Sequence, residues 1–260
     1  MPEHISLLHY LLYRFDLLRL NAHAESLQGH ELGYRDYEPL AMALVLMLLL
    51  VYLASEVRGI IKNTKEAVIP EEELTLRTFF EVFFETFYTI AKDVMGPKNG
   101  KRYFPLIGAC AIFIFTSNAI GLIPGMMPPT ANLNVTFGCA FLVFLAFNYF
   151  GLKENGMDYV KHMAGWGVFP SLVPNLLLAL LMFPIEVIST CVRPLTLAIR
   201  LMLNLAVDHL LVSIFMGLFA IALPLPVMLL GIIVIVVQTM VFCLLSSIYI
   251  GLATAHAEHH

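Results

Sequence analysis

Residues 184–209 form an apolar stretch that nevertheless carries Glu186, Arg193, Arg200 and Asn204. At about 100° per residue, Glu186, Arg193, Arg200 and Val207 fall on one narrow stripe of a helix, with Asn204 about 40° to its side. An arginine at bilayer depth cannot escape its charge by losing a proton, so it must meet water, a carboxylate or a partner subunit; burial against lipid is excluded. His209, nine residues beyond Arg200, points about 180° away from it, and Asp208 about 80° away. It is the only histidine in any apolar run, and its imidazole suits either a proton relay or a core hydrogen bond to a backbone carbonyl. Gln238, in the last apolar run, is a neutral amide that either orients Arg200 across a hairpin or glues two helices together. Glu186 either neutralises Arg193 or lines a water path, and Ser246, Ser247 and Tyr249 either line that path or pack helices. A fixed cation, a titratable imidazole and flanking carboxylates and amides are equipment for moving protons, not for covalent catalysis.

The elements that position these groups are membrane helices. The chain has 260 residues, of which 59% are hydrophobic and 13% charged, with a mean hydropathy of +0.82, which marks an all-α integral membrane protein. A formal charge of −4 and no basic cluster interleaved with aromatics exclude a nucleic-acid footprint. Cys110, Cys139, Cys191 and Cys243 sit in apolar runs without paired spacing and read as small buried hydrophobes. His256, His259 and His260 read as a solvated tail, so neither a metal nor a cofactor is expected. The first 37 residues lack the pattern of a cleaved signal and read as an amphipathic segment on the outer membrane surface, before a single membrane domain over 38–260.

Residues 38–56 are long enough for a first span. Lys and Arg cluster in the connection that follows, at Arg58, Lys62, Lys65, Arg77, Lys92, Lys98, Lys101 and Arg102, whereas 125–133 carries none. By the positive-inside rule that connection is cytoplasmic, the amino terminus outside and the carboxyl terminus cytoplasmic. Within it, about 70–93, Phe79, Phe80, Phe83, Phe84, Phe87 and Tyr88 recur at helical spacing beside charged residues, the mark of an amphipathic helix on the cytoplasmic surface. Spans follow at 103–122 and 135–152. The apolar tract 171–223 is too long for one upright span and is either two spans or one strongly tilted helix, since no turn signal appears before Pro224 and Pro226. The return helix completes a long hairpin over about 171–254, giving five to six hydrophobic passes in all. Asn118, Asn132 and Asn134, near the outer ends of the second and third spans, either cap helices and order a loop or line an aqueous path.

The run Arg193-Pro-Leu-Thr-Leu-Ala-Ile-Arg200-Leu-Met-Leu-Asn204 resembles subunit a of F-type ATP synthases of bacterial type. Glu186, Gln238 and Tyr249 stand where that family carries the same residue types, and 128–136 resembles its outer-loop motif with Asn132 in place of the usual aspartate. The resemblance covers most of the chain from Glu38 onward. It implies a proton-translocating stator subunit in the bacterial inner membrane, with two aqueous half-channels and an essential Arg200 facing a ring of c subunits. It further implies b subunits of the peripheral stalk as partners and a proton path with Asn204, Gln238, Glu186 and Tyr249, to which helix geometry adds His209 and the neighbouring Asp208. Two departures carry weight. An amide at 132 orders water but does not titrate. Many bacterial members have glutamate at the position of His209, paired with a histidine at the position of Gly231, so Asp208 is left to supply the missing carboxylate. An autonomous secondary transporter is the alternative, but the internal repeats it would predict are not evident; a membrane cytochrome would need paired haem ligands that one membrane histidine cannot supply.

Overall fold

The computed structural model describes residues 34–61, 75–123, 126, 128–156, 159, 172–218 and 224–254. The amino-terminal segment, the Glu71–Glu73 cluster and the histidine tail lie outside them. Among the described residues five long helices carry the fold: α1 (Tyr34–Ile61), α2 (Leu76–Ile120), α3 (Leu133–Asn155), α4 (Leu172–Leu218) and α5 (Pro224–Thr254), with a 3-10 turn at Pro129–Ala131 between α2 and α3. Each contains a stretch long and apolar enough to cross a membrane, and among the described residues there is no strand.

The tract left open by the sequence is one helix. α4 runs 47 residues, about 70 Å at 1.5 Å per residue, more than twice a hydrocarbon core of about 30 Å. A helix of that length fits a bilayer only when steeply inclined. Pro184 and Pro194 lie inside it without ending it, because groups on neighbouring helices can satisfy a carbonyl freed by proline. Pro224 opens α5, where its missing N–H costs nothing.

α2 is bent double. Gly96 has φ 80° and ψ 164°, a backbone region open essentially to glycine alone, and Pro97 starts the second arm. The arms run antiparallel: Phe79 and Phe83 meet the Phe115 ring at 6.0 and 5.2 Å, Tyr88 meets Phe104 at 5.2 Å, and a Cβ on Gly100 would stand 3.0 Å from the Lys92 Cα. The aromatic stripe of the first arm is therefore spent largely inside the chain, with Phe83, Phe87, Ala91 and Met95 buried and Glu81, Glu85, Thr89 and Lys92 exposed on the other side. The helix is amphipathic as its sequence predicts, but its apolar face packs on the next arm and on α5, where Met95 approaches Gly251. Replacing Gly96 with alanine is expected to cost about 1–3 kcal/mol, seen as a lower thermal midpoint of the assembled membrane sector. An unchanged midpoint would mean that the bend tolerates a side chain.

α5 lays a buried ridge of Gly231, Ile235, Gln238, Thr239, Phe242, Cys243, Ser246, Ser247 and Ile250 against its neighbours. α4 buries Leu197, Ala198, Leu201 and Leu205, which cluster with Cys110 and Ile114 of α2, Ala140 and Val143 of α3 and Phe242 of α5. Lipid is as apolar as leucine, so close packing and buried polar pairs, not exclusion from water, hold such helices together. At one end of the bundle Arg102 pairs with Glu154, which also accepts from the Tyr103 hydroxyl, and the Asn155 amide donates to the Ala253 carbonyl at 2.8 Å, tying α2, α3 and α5.

Candidate functional site

The buried face of α4 fixes where its polar residues go. Leu197, Leu201 and Leu205 recur every fourth residue and face the bundle, and Arg200 lies about 100° around the helix from Leu201. Arg200 is accordingly exposed, and among the described residues it has no hydrogen bond or ion pair. Leu203 and Val207 beside it are 49% and 50% exposed. A cation thus stands on an outward apolar flank that no other described element covers.

Gln238 is the sequence candidate whose expected partner differs. Its side chain is 5% exposed, and its Oε1 accepts from Asn204 Nδ2 at 2.7 Å, not from Arg200. Asn204 lies toward the packed face by about 40°, within reach of α5, and the amide pair joins the two helices one turn along from the guanidinium.

Toward the α4 amino terminus the stripe is polar. Glu186 Oε1 lies 3.6 Å from Arg193 Nη2, a loose ion pair, and the Arg193 guanidinium stands 5.4 Å over the Tyr249 ring. Glu186, Arg193 and Tyr249 are therefore one cluster. Tyr159, which the sequence reading missed, belongs with them. Its hydroxyl donates to Asn148 Oδ1 at 3.3 Å, its ring lies so close to Gly151 that a Cβ there would come within 2.8 Å, and it feels the charges of Arg193 and Glu186. Burial pushes its phenol above the ordinary value, Arg193 pulling it down and Glu186 pushing it up. It stays a neutral donor near pH 7. A lone tyrosine between two apolar runs of the sequence carries no periodicity that would have singled it out.

His209 turns the other way. A Cβ on Gly121 would lie 2.9 Å from His209 Nε2 and 3.0 Å from Pro128 Cγ, so the imidazole stands against the end of α2 beside the outer loop. Gly231 belongs to the same corner, its α-carbon facing the Leu122 side chain. Asp208 is half-buried, and among the described residues it has no hydrogen bond or ion pair; adjacent residues on a helix do not face each other.

The three asparagines separate. Asn118 is 3% exposed, and its Oδ1 accepts from the Thr130 hydroxyl at 2.7 Å, fastening the 3-10 turn to α2. Asn132 caps α3, accepting from Asn134 N at 2.9 Å, as its position before an apolar run allows. Asn134 is exposed. Thr130 is the second residue the sequence reading passed over; only its place in the loop, two residues before Asn132, pointed to it. Among the described residues no group of three His, Cys, Asp or Glu could hold a metal.

Residues 40–251 match the family described as the ATP synthase A chain. A protein named ATP synthase subunit a from Sorangium cellulosum (strain So ce56) is 61% identical over 263 residues, covering 100% of both chains. Proteins of the same name from Bdellovibrio bacteriovorus (strain ATCC 15356 / DSM 50701 / NCIMB 9529 / HD100) and Sulfurihydrogenibium sp. (strain YO3AOP1) are each 38% identical, covering 88% and 83% of this chain and 94% and 98% of their own.

Proposed function

The chain belongs to the ATP synthase A chain family, the proton-translocating a subunit of that enzyme's membrane sector, and on that premise we propose that Arg200 is the fixed cation past which a ring of c subunits carries its carboxylates. The observation that carries this reading is the outward exposure of Arg200 on an apolar flank of α4. A guanidinium there favours the ionised form of an arriving carboxylate, so the proton leaves toward the exit side, and its charge repels protons that would cross directly. An autonomous transporter is not favoured by the family.

The polarity of the stripe gives the two half-channels their offset. On one side of Arg200 the rotor-facing line runs through Thr196, Arg193, Ser189 and Glu186; on the other it runs through Leu203, Val207, Leu211 and Ile214. Water following the line therefore reaches Arg200 from one side only. That is the exit path, with Glu186, Tyr249 and the Tyr159 hydroxyl at its mouth. The entry path arrives from behind, through the corner where His209, Asn118 and the loop with Asn132 and Asn134 meet, and Asp208 lies on its flank. The Asn204 and Gln238 pair holds α4 to α5 next to the cation.

Lys98, Lys101, Arg102 and Lys153 are exposed near the α2 bend and the end of α3, and by the positive-inside rule this supports a reading with that end on the cytoplasmic side of a bacterial inner membrane and the amino terminus outside. The exposed face of the first arm of α2, with Glu81, Glu85 and Lys92, is where b subunits of the peripheral stalk dock. With Cys110, Cys139, Cys191 and Cys243 replaced, Val207→Cys is expected to form a disulfide with a cysteine placed beside the ring carboxylate, while the buried Leu197→Cys does not. Crosslinking from neither position, or from Leu197 alone, would turn α4 away from the ring. The purified chain alone in liposomes is expected to transport no solute.

A further inference from the structure

Ser117 stands one residue before Asn118, near the end of α2. Its side chain is 0% exposed, and among the described residues its Oγ has no hydrogen-bond partner. Its neighbours are settled. Thr116 Oγ1 donates to the Ile112 carbonyl at 2.7 Å, the usual return of a hydroxyl to its own helix, and Asn118 is taken by Thr130. A buried hydroxyl left unmatched is costly, and in a native fold it calls for a water or a use. One turn further along α2, about 40° around, comes Gly121, where the missing side chain leaves room for His209 Nε2. Ser117 and the imidazole therefore meet the same face of α2 on successive turns. A helical turn rises about 5.4 Å, too far for a direct hydrogen bond and the right span for one bridging water with polar groups at both ends.

We infer that Ser117 is a further residue of the proton path, its hydroxyl linked through a water beside Gly121 to the imidazole of His209. A hydroxyl both accepts and donates, so Ser117 takes a proton on its oxygen and releases its own to the next water, ending unchanged. Gly121 is the positioning residue, since a methyl group there would press on the imidazole and fill the water's place. The inference rests on the assignment of His209 to the entry path.

The test is potential-driven proton flux through the assembled membrane sector with the ATPase head removed. Ser117→Ala is expected to lower flux about tenfold, the scale of one lost hydrogen-bonded station, with normal amounts of assembled complex, while Ser117→Thr retains it. If Ser117 merely packs, deleting an unmatched hydroxyl is neutral or stabilising, and unchanged flux in Ser117→Ala would overturn the inference, as would equal losses in the alanine and threonine variants. In a His209→Ala background, Ser117→Ala is expected to add less than about twofold, because a broken chain is not broken again. A full second tenfold loss would put Ser117 on a separate path and overturn the link. Unchanged flux in His209→Ala alone would instead strike the assignment of His209. Gly121→Ala is expected to reproduce the Ser117→Ala loss, and wild-type flux there would remove the bridging water.

Discussion

Arg200→Ala is expected to abolish ATP-driven proton pumping by the complex while leaving its assembly intact. The second half of that outcome follows from position. Arg200 is exposed and, among the described residues, bonded to nothing in its own chain, so its loss removes no internal contact, and exposed substitutions of this kind usually change stability by less than about 0.5 kcal/mol. The first half follows from charge. Each proton crossing a membrane at 100 mV carries about 2.3 kcal/mol, and in the proposed mechanism the barrier that stops it from slipping between half-channels is the fixed cation. With alanine there, an arriving carboxylate has no reason to ionise at that point and protons have no reason not to hop. The expected pair of readings is therefore lost pumping together with a retained or raised passive proton leak. Arg200→Lys is expected to fall well short of wild type, because a titratable ammonium can discharge where a guanidinium cannot. Normal pumping in Arg200→Ala would remove this residue from the mechanism.

The same helical arithmetic that placed Arg200 was readable before any coordinates. A repeat of 3.6 residues sends Arg200 and His209 to opposite sides, and the structure has one exposed and the other against Gly121. The single unbroken α4 was one of two options the apolar tract allowed, and length could not choose between them, because prolines inside a membrane helix do not stop it. Three features were out of reach for a shared reason: they depend on which surface meets which. The Phe79–Tyr88 stripe has the same periodicity whether it faces headgroups or a second helix, and only the reversal at Gly96 decides. Gln238 had two amide- or guanidinium-bearing partners within a turn of each other, and a 40° offset selected Asn204. The Asn118 to Thr130 bond crosses a loop, where no period exists to be read. Ser117 is one serine among many in the sequence, and the missing partner that gives it meaning is a property of packing alone.

A His209→Ala variant is expected to slow proton flux about a hundredfold, the low end of what a positioned acid–base group contributes. The imidazole is half-buried at the end of α2, so alanine removes a wall of that corner as well as a titratable group, and loss of flux alone would not separate the two. Shape-matched replacements do. Glutamine fills much of the same space and hydrogen-bonds, but it cannot take up and release a proton near neutral pH; glutamate can. If His209 relays protons, glutamate is expected to recover flux and glutamine to stay near the alanine level. If it is a spacer holding Gly121, Pro128 and the 3-10 turn apart, glutamine is expected to restore flux and glutamate to gain nothing over it. Asp208 sharpens the comparison, for it stays in place in every variant and lies on another line of α4. Recovery by glutamate with Asp208 unchanged means that titration must occur on the line facing Gly121, whereas recovery by glutamine would return the corner to a purely architectural role and leave the entry path to be sought elsewhere.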